Sequence, residues 1–303
     1  MPGMNVTLTG ATGLIGQRLV TALKDRGDQV TILSRNADRA TDRLGVPAVA
    51  WDALSGPAPA EALDGRDAVI HLAGEPVAQR WTDERKQAIL ESRETGTRNL
   101  VAGISAADPR PATLVSSSAV GYYGKHADER VDESCPAGQD FLADVCTRWE
   151  AESQNAEELG VRVVLIRTGV VLDRSGGALK TMLPPFKAGV GGPVAGGRQY
   201  MPWIHLDDIV GLYLAALDDA SWSGPYNGSA PEPVTNKTFA KALGKALGRP
   251  SFVPVPALAI KLLYGEMAEI VTEGQRAVPD RALAEGYAFQ HPDLDEALAS
   301  ALA

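Results

Sequence analysis

The sequence predicts an α/β fold in which a doubly wound parallel sheet is joined to a smaller C-terminal α/β lobe. Three observations predict it. Short apolar runs without polar alternation recur from Asn5 to Arg167, stretches of helical period separate them, and after Arg167 glycine and proline break the rhythm. Strands that are apolar on both faces need cover on both faces, which crossover helices supply. Right-handed crossovers then wind those helices to opposite sides of the sheet. A chain of 303 residues, 45% of them hydrophobic, can build such a core.

The elements follow in order. Val6 to Leu8 is a buried-strand run, and Gly16 to Lys24 has helical period. Val30 to Leu33, Ala48 to Trp51, Ala68 to Leu72, Thr113 to Val115 and Val161 to Ile166 give the second to sixth strands. Ala37 to Arg43, Thr82 to Ser105 and Asp140 to Leu159 are the helices between them. Gly176, Gly177, Gly189, Gly191 and Gly192, with Pro184, Pro185 and Pro193, then mark loops. Helices are expected from Asp207 to Leu217, with Asp207 and Asp208 as its N-cap, from Asn236 to Leu247 before Gly248, from Pro256 to Ile270, and from Leu294 to Leu302. The expected division is residues 1–168 and 169–303, with elements from about 200–220 returning to the first part.

Composition excludes several function classes. A net charge of -9 without a basic cluster argues against nucleic acid. Cys135 and Cys146 form no CxxC pair, and His71, His126, His205 and His291 are far apart in sequence, so no metal site is expected. No signal-peptide pattern and no membrane-length apolar run is visible, so a cytoplasmic location without membrane association is expected; the oligomeric state is left open.

The segment Thr9-Gly10-Ala11-Thr12-Gly13-Leu14-Ile15-Gly16 lies between the first strand and the first helix. Gly10 permits a tight turn, Gly13 lets backbone approach a pyrophosphate, and Gly16 lets helix and strand pack closely. The free N–H groups and the positive end of the helix dipole then face the anion. This is the phosphate site of a Rossmann-type domain. The second strand ends in Ser34-Arg35-Asn36, with no carboxylate to bind a ribose 2′-hydroxyl. A guanidinium there suits a 2′-phosphate, so the cofactor expected is NADP(H).

The runs TGATGLIG, IHLAG at Ile70 to Gly74, SSSAVGYYG at Ser116 to Gly124, GTRNL at Gly96 to Leu100 and WIHLDDIV at Trp203 to Val210 resemble the extended short-chain dehydrogenase/reductase family. The tail from Ala246 resembles a branch described as epimerase-like or nucleoside-diphosphate-sugar epimerase-like. The resemblance implies cofactor contacts at Gly10, Thr12, Gly13, Leu14, Ile15 and Gly16 for phosphate, and at Ser34 and Arg35 for the 2′-phosphate. It implies Asp52 for adenine, the wall Leu72, Ala73 and Gly74, Arg93 where the wider family has an asparagine, and Gly169 with Val170 beside the nicotinamide amide.

Redox members of the family use a serine and a Tyr-x-x-x-Lys pair. Ser118 matches the serine, but the helix from Asp140 to Leu159 has neither tyrosine nor lysine. The best register puts Cys146 and Glu150 in those places. Catalytic candidates are therefore Ser118, with Tyr122, Tyr123 or Cys146 as proton donor. Tyr122 and Tyr123 could equally be packed, Cys146 buried and inert, and Glu150 solvent-facing or paired with an arginine. Glu75 is a second candidate acid or base. In the related sugar-nucleotide enzymes the segment around Gly191 to Gln199 holds a diphosphate, which makes Lys187 and Arg198 candidates for an anionic or nucleotide-linked small molecule. Met182, Phe186, Met201 and Trp203 form either an apolar substrate wall or plain core. The expected function is an NADP(H)-dependent oxidoreductase or epimerase-like enzyme acting on a small hydroxyl or carbonyl compound. The alternative is a non-catalytic NADP(H)-responsive binding or regulatory module.

Overall fold

A computed structural model describes residues 3–303. The chain opens with strand β1 (Asn5–Thr9), helix α1 (Leu14–Asp25), β2 (Gln29–Ser34), α2 (Ala37–Leu44), β3 (Ala48–Ala50) and β4 (Ala68–His71). It continues through α3 (Asp83–Ala106), β5 (Thr113–Ala119), β6 (Arg130–Val131), α4 (Phe141–Gln154), β7 (Arg162–Thr168) and β8 (Val170–Leu172). After α5 (Gly177–Lys187) come β9 (Tyr200–Met201), β10 (Trp203–His205), α6 (Leu206–Asp218), β11 (Gly224–Gly228) and β12 (Val234–Thr235). The remainder is α7 (Asn236–Leu247), α8 (Ala257–Tyr264), α9 (Glu269–Thr272), β13 (Arg276–Ala277), α10 (Asp280–Ala284) and α11 (Leu294–Leu302).

Seven parallel strands form the main sheet in the order β11-β7-β5-β4-β1-β2-β3. Side-chain alternation sends each strand to two cores. Val6, Leu8, Ile70, Val115, Val164 and Ile166 meet α1 and α6 on one face. Leu33, Val69, Leu114, Val163 and Leu165 meet α3 on the other. Each such aliphatic chain contributes roughly 1.5–3 kcal/mol by leaving water. The strand order reverses beside β1 and β4, the place where open α/β sheets bind ligands at their carboxyl ends.

The smaller lobe packs α5, α7 and α11 around Leu179, Leu183, Phe186, Trp203, Phe239 and Leu298. Among the described residues no helix is long and apolar enough to cross a membrane.

Four readings of the sequence need correction. The stretch taken as loop holds α5, in spite of Pro184 and Pro185 inside it. Burial of Leu179, Leu183 and Phe186 along one helical stripe outweighs the hydrogen bonds the prolines remove. The expected helix from Pro256 to Ile270 is broken after Tyr264, where Gly265 takes φ +63°. The helix from Asp140 stops at Gln154 and tightens into a 3₁₀ turn over Asn155–Leu159. Finally, α6 is capped by His205, whose Nδ1 accepts the Asp207 N–H at 3.1 Å, and not by Asp207 or Asp208. Asp208 instead accepts the N–H groups of Gln290 and His291, at 2.6 and 3.0 Å.

Candidate functional site

The glycine loop leaves β1 at Gly10, whose φ is +68°. A Cβ there would stand 2.6 Å from the Leu72 carbonyl carbon, so loop and β4 wall touch backbone to backbone. A Cβ on Gly16 would stand 2.5 Å from the Gly10 oxygen. Helix α1 starts against the turn for that reason. Its N-cap, Gly13, offers no side-chain acceptor, whereas Asn36, Thr82 and Asp140 cap α2, α3 and α4. The first N–H groups of α1 therefore lack the side-chain partner that the other three helices have. Thr12 and Gly13 are exposed and Leu14 and Ile15 half-buried, so this helix start is open to a dinucleotide phosphate.

At the end of β2 the Ser34 hydroxyl turns to the Asn36 backbone, and the Arg35 side chain is 78% exposed. Its Nη1 lies 3.9 Å from Glu75, which also pairs with Arg85 at 3.3 Å. Glu75 thus belongs to a cluster of cations and does not line the cavity described below. Asp52 accepts the Leu54 N–H and the Ser55 hydroxyl and stays exposed. The N–H groups of Leu72 and Ala73 both donate to the Thr9 hydroxyl, which also bonds His71 at 2.7 Å. Burial, followed by the charge of Arg93, holds His71 down to about 3, so it is neutral near pH 7.

A cavity of about 540 Å³ opens between the lobes at the carboxyl ends of β5 and β7. Its floor brings together Arg93, Ala119, Cys146, Trp149, Gly169 and Val170. Arg93 lies along Gly74 and over the Trp149 ring, 4.9 Å from its centroid. Its Nη1 donates to the carbonyls of Glu75 and Ile89, both at 3.1 Å. Burial lowers its pKa below the ordinary guanidinium value. The N–H groups of Gly169 and Val170 are already bonded to the carbonyls of Gly228 and Pro202. The buried Trp149 Nε1 has no hydrogen-bond partner.

Cys146 is the one catalytic candidate in this wall. Burial, then the charge of Glu150, pushes its thiol up to about 12, with Arg93 pulling the other way. Ser118, Tyr122 and Tyr123 do not line the cavity. Ser118 donates to Glu150 Oε1 at 2.6 Å, and Tyr123 donates to Asn227 Oδ1 at 2.7 Å. Burial raises the Tyr123 phenol well above the ordinary tyrosine range. Tyr122 lies under the Arg167 guanidinium, 3.4 Å from its ring centroid.

Sequence reasoning missed the group that organises these residues. Arg167 is buried on β7 and forms a two-pronged pair with Glu150, both bonds 2.8 Å, while its Nη1 reaches the Tyr123 oxygen at 3.0 Å. Burial alone would lower Arg167, but the hydrogen bond and charge of Glu150 raise it above its ordinary value. Of the two readings left open for Glu150, solvent or an arginine, the structure shows the arginine, in the interior. A cation inside the apolar run VVLIRT was the available signal, because a buried charge needs a partner.

Lys187 and Arg198 are exposed and do not line the cavity. Phe186, Met201 and Trp203 are lobe core, with Met182 and Met201 also facing the cavity. His205, Asp207 and His291, distant in sequence, come together with donor atoms within 4.8 Å of one another. These donors are engaged within the protein: Asp207 pairs with Arg18 at 2.8 Å and His205 caps α6.

A model described as the NAD dependent epimerase/dehydratase family matches residues 6–227, and one described as a domain of unknown function (DUF1731) matches residues 255–301. The chain is 42% identical over 300 residues to the chloroplastic SDR39U1 homolog of Arabidopsis thaliana, a match spanning 97% of this chain and 86% of that one. It is 39% identical over 301 residues to the epimerase family protein YfhF of Bacillus subtilis, spanning 99% and 98%. The crystal structure of human epimerase family protein SDR39U1 (isoform 2) with NADPH matches with a TM-score of 0.88 at 36% identity, covering 98% of each chain.

Proposed function

Because the chain belongs to the NAD dependent epimerase/dehydratase family, we propose that it binds NADP(H) and acts as an oxidoreductase or epimerase-like enzyme on a small hydroxyl or carbonyl compound. The human relative with NADPH supports the choice of cofactor, as do the uncapped start of α1 and the exposed Arg35. Gly10, Thr12, Gly13, Leu14, Ile15 and Gly16 would hold the pyrophosphate, and Ser34 with Arg35 the 2′-phosphate. Asp52 would meet the adenine. Leu72, Ala73, Gly74 and Arg93 would flank the inner ribose, and Gly169 with Val170 the nicotinamide. When bound, the nicotinamide would supply or take up a hydride. A cytoplasmic setting fits two free cysteines.

One observation carries the catalytic reading: of the four candidates only Cys146 is among the residues that line the cavity. Its proton would pass to the substrate oxygen as the carbonyl carbon is reduced, and water at the cavity mouth would return a proton to sulfur. A thiol held near 12 is a weak acid, yet an alkoxide is a far stronger base, so the transfer runs downhill. Ser118, Glu150 and Arg167 would act from behind as positioning residues.

The alternative, a non-catalytic NADP(H)-responsive module, draws support from the bonding of the Ser118 and Tyr123 hydroxyls inside the protein. Single-turnover mixing of the NADPH-loaded protein with a panel of aldehydes and ketones separates the two. The enzyme reading expects NADPH absorbance to fall, and to fall at least ~10²-fold more slowly in Cys146→Ala with NADPH binding unchanged. No consumption by any compound at saturating NADPH would favour the module.

A further inference from the structure

We infer that the cavity takes an uncharged, largely apolar hydroxyl or carbonyl compound, and not a sugar nucleotide. This inference names the substrate class for the site proposed above and rests on that reading. Trp81, Phe141 and Val145 wall the cavity from the first lobe, and Met182, Met201 and Ile270 from the second. Trp81 and Phe141 meet edge to face at 5.1 Å, making a continuous aromatic surface.

Charge decides against a diphosphate. Asp140, Glu266, Glu269 and Glu273 line the cavity, against the cations Arg93 and Lys125. Lys125 is bound to Glu269 at 3.0 Å, and Lys86, packed over the Phe141 ring, is bound to Glu266. Arg93 is bonded to backbone carbonyls at the floor. A diphosphate would enter against a net negative mouth and find its lysines already paired. Lys187 and Arg198, the residues that could have bound one, are exposed and do not line the cavity. An apolar compound meets neither obstacle and gains from leaving water.

The test uses the NADPH-loaded protein and Nile red, a neutral lipophilic fluorophore, displaced in turn by 2-undecanone and UDP-glucose. The expected result is Nile red binding that 2-undecanone displaces and millimolar UDP-glucose does not. Met182→Glu or Ala78→Glu, either of which puts a charge into the cavity wall, should weaken the probe at least tenfold while NADPH still binds. Leu258 and Leu262 on α8 are 78% and 76% exposed, so a Leu258→Ser and Leu262→Ser double variant reports on surface adsorption and should change nothing. Displacement by UDP-glucose, no probe binding, or loss of binding only in the double variant would each overturn the inference. The readout is binding, so it separates from the preceding proposal. Binding of 2-undecanone without NADPH consumption fails the enzyme reading alone, and consumption with sugar nucleotides only fails this one alone.

Discussion

Arg35 and Arg167 mark the two limits of what a single residue reveals. The role proposed for Arg35 rests on its place in the chain, directly after β2, and needs no distant partner. Its exposed guanidinium makes a direct prediction. Arg35→Ala should weaken NADPH binding by about 10- to 100-fold in calorimetry, the scale of a lost charge-assisted bond, and leave NADH binding within about twofold. Equal losses for both cofactors would remove Arg35 from the 2′-phosphate site. Arg167 could not be assigned this way, since its meaning comes from Glu150 on a helix and Tyr123 in a 3₁₀ turn after β5. Ser118 shows the same limit. The position matched, but the direction of its hydroxyl, toward Glu150 and away from the cavity, is set by that buried ion pair.

Among the elements, α4 is the one whose helical pattern was plain and whose chemistry was hidden. It presents Cys146 and Trp149 to the cavity and Glu150 to the interior. Removing the carboxylate would strand Arg167 inside the protein. Glu150→Ala should therefore lose about 3–5 kcal/mol in urea unfolding, and the double variant Glu150→Leu with Arg167→Leu should recover much of that loss. If Glu150→Ala melts like the parent, the pair is not holding α4 to β7. Helix α5 and strand β11 teach the complementary lesson. Two prolines obscured the first, and GPYNG, with no β-branched residue, gave no strand signal for the second. Packing of one apolar stripe and pairing with β7 overrode local preference in both.

Across the whole molecule the sheet is completed from beyond residue 168. Strand β11 forms its edge on β7, and α6 covers one face with Ile209, Val210, Leu212 and Tyr213. Residues 1–168 alone would expose that face. We expect a fragment ending there to show no cooperative thermal transition, whereas the full chain unfolds through one that includes both lobes. A sharp melt of the fragment with NADPH binding intact would make the first lobe autonomous. The sequence by itself determined the parallel α/β class, the glycine cradle and the absence of a Tyr-x-x-x-Lys pair, because these are carried by period and spacing between near neighbours. Only the tertiary structure decided which side chains face the cavity, which carboxylates close its mouth and which cation Glu150 holds. Those follow from which elements pack together, and burial makes a charge seek a partner that can lie anywhere along the chain.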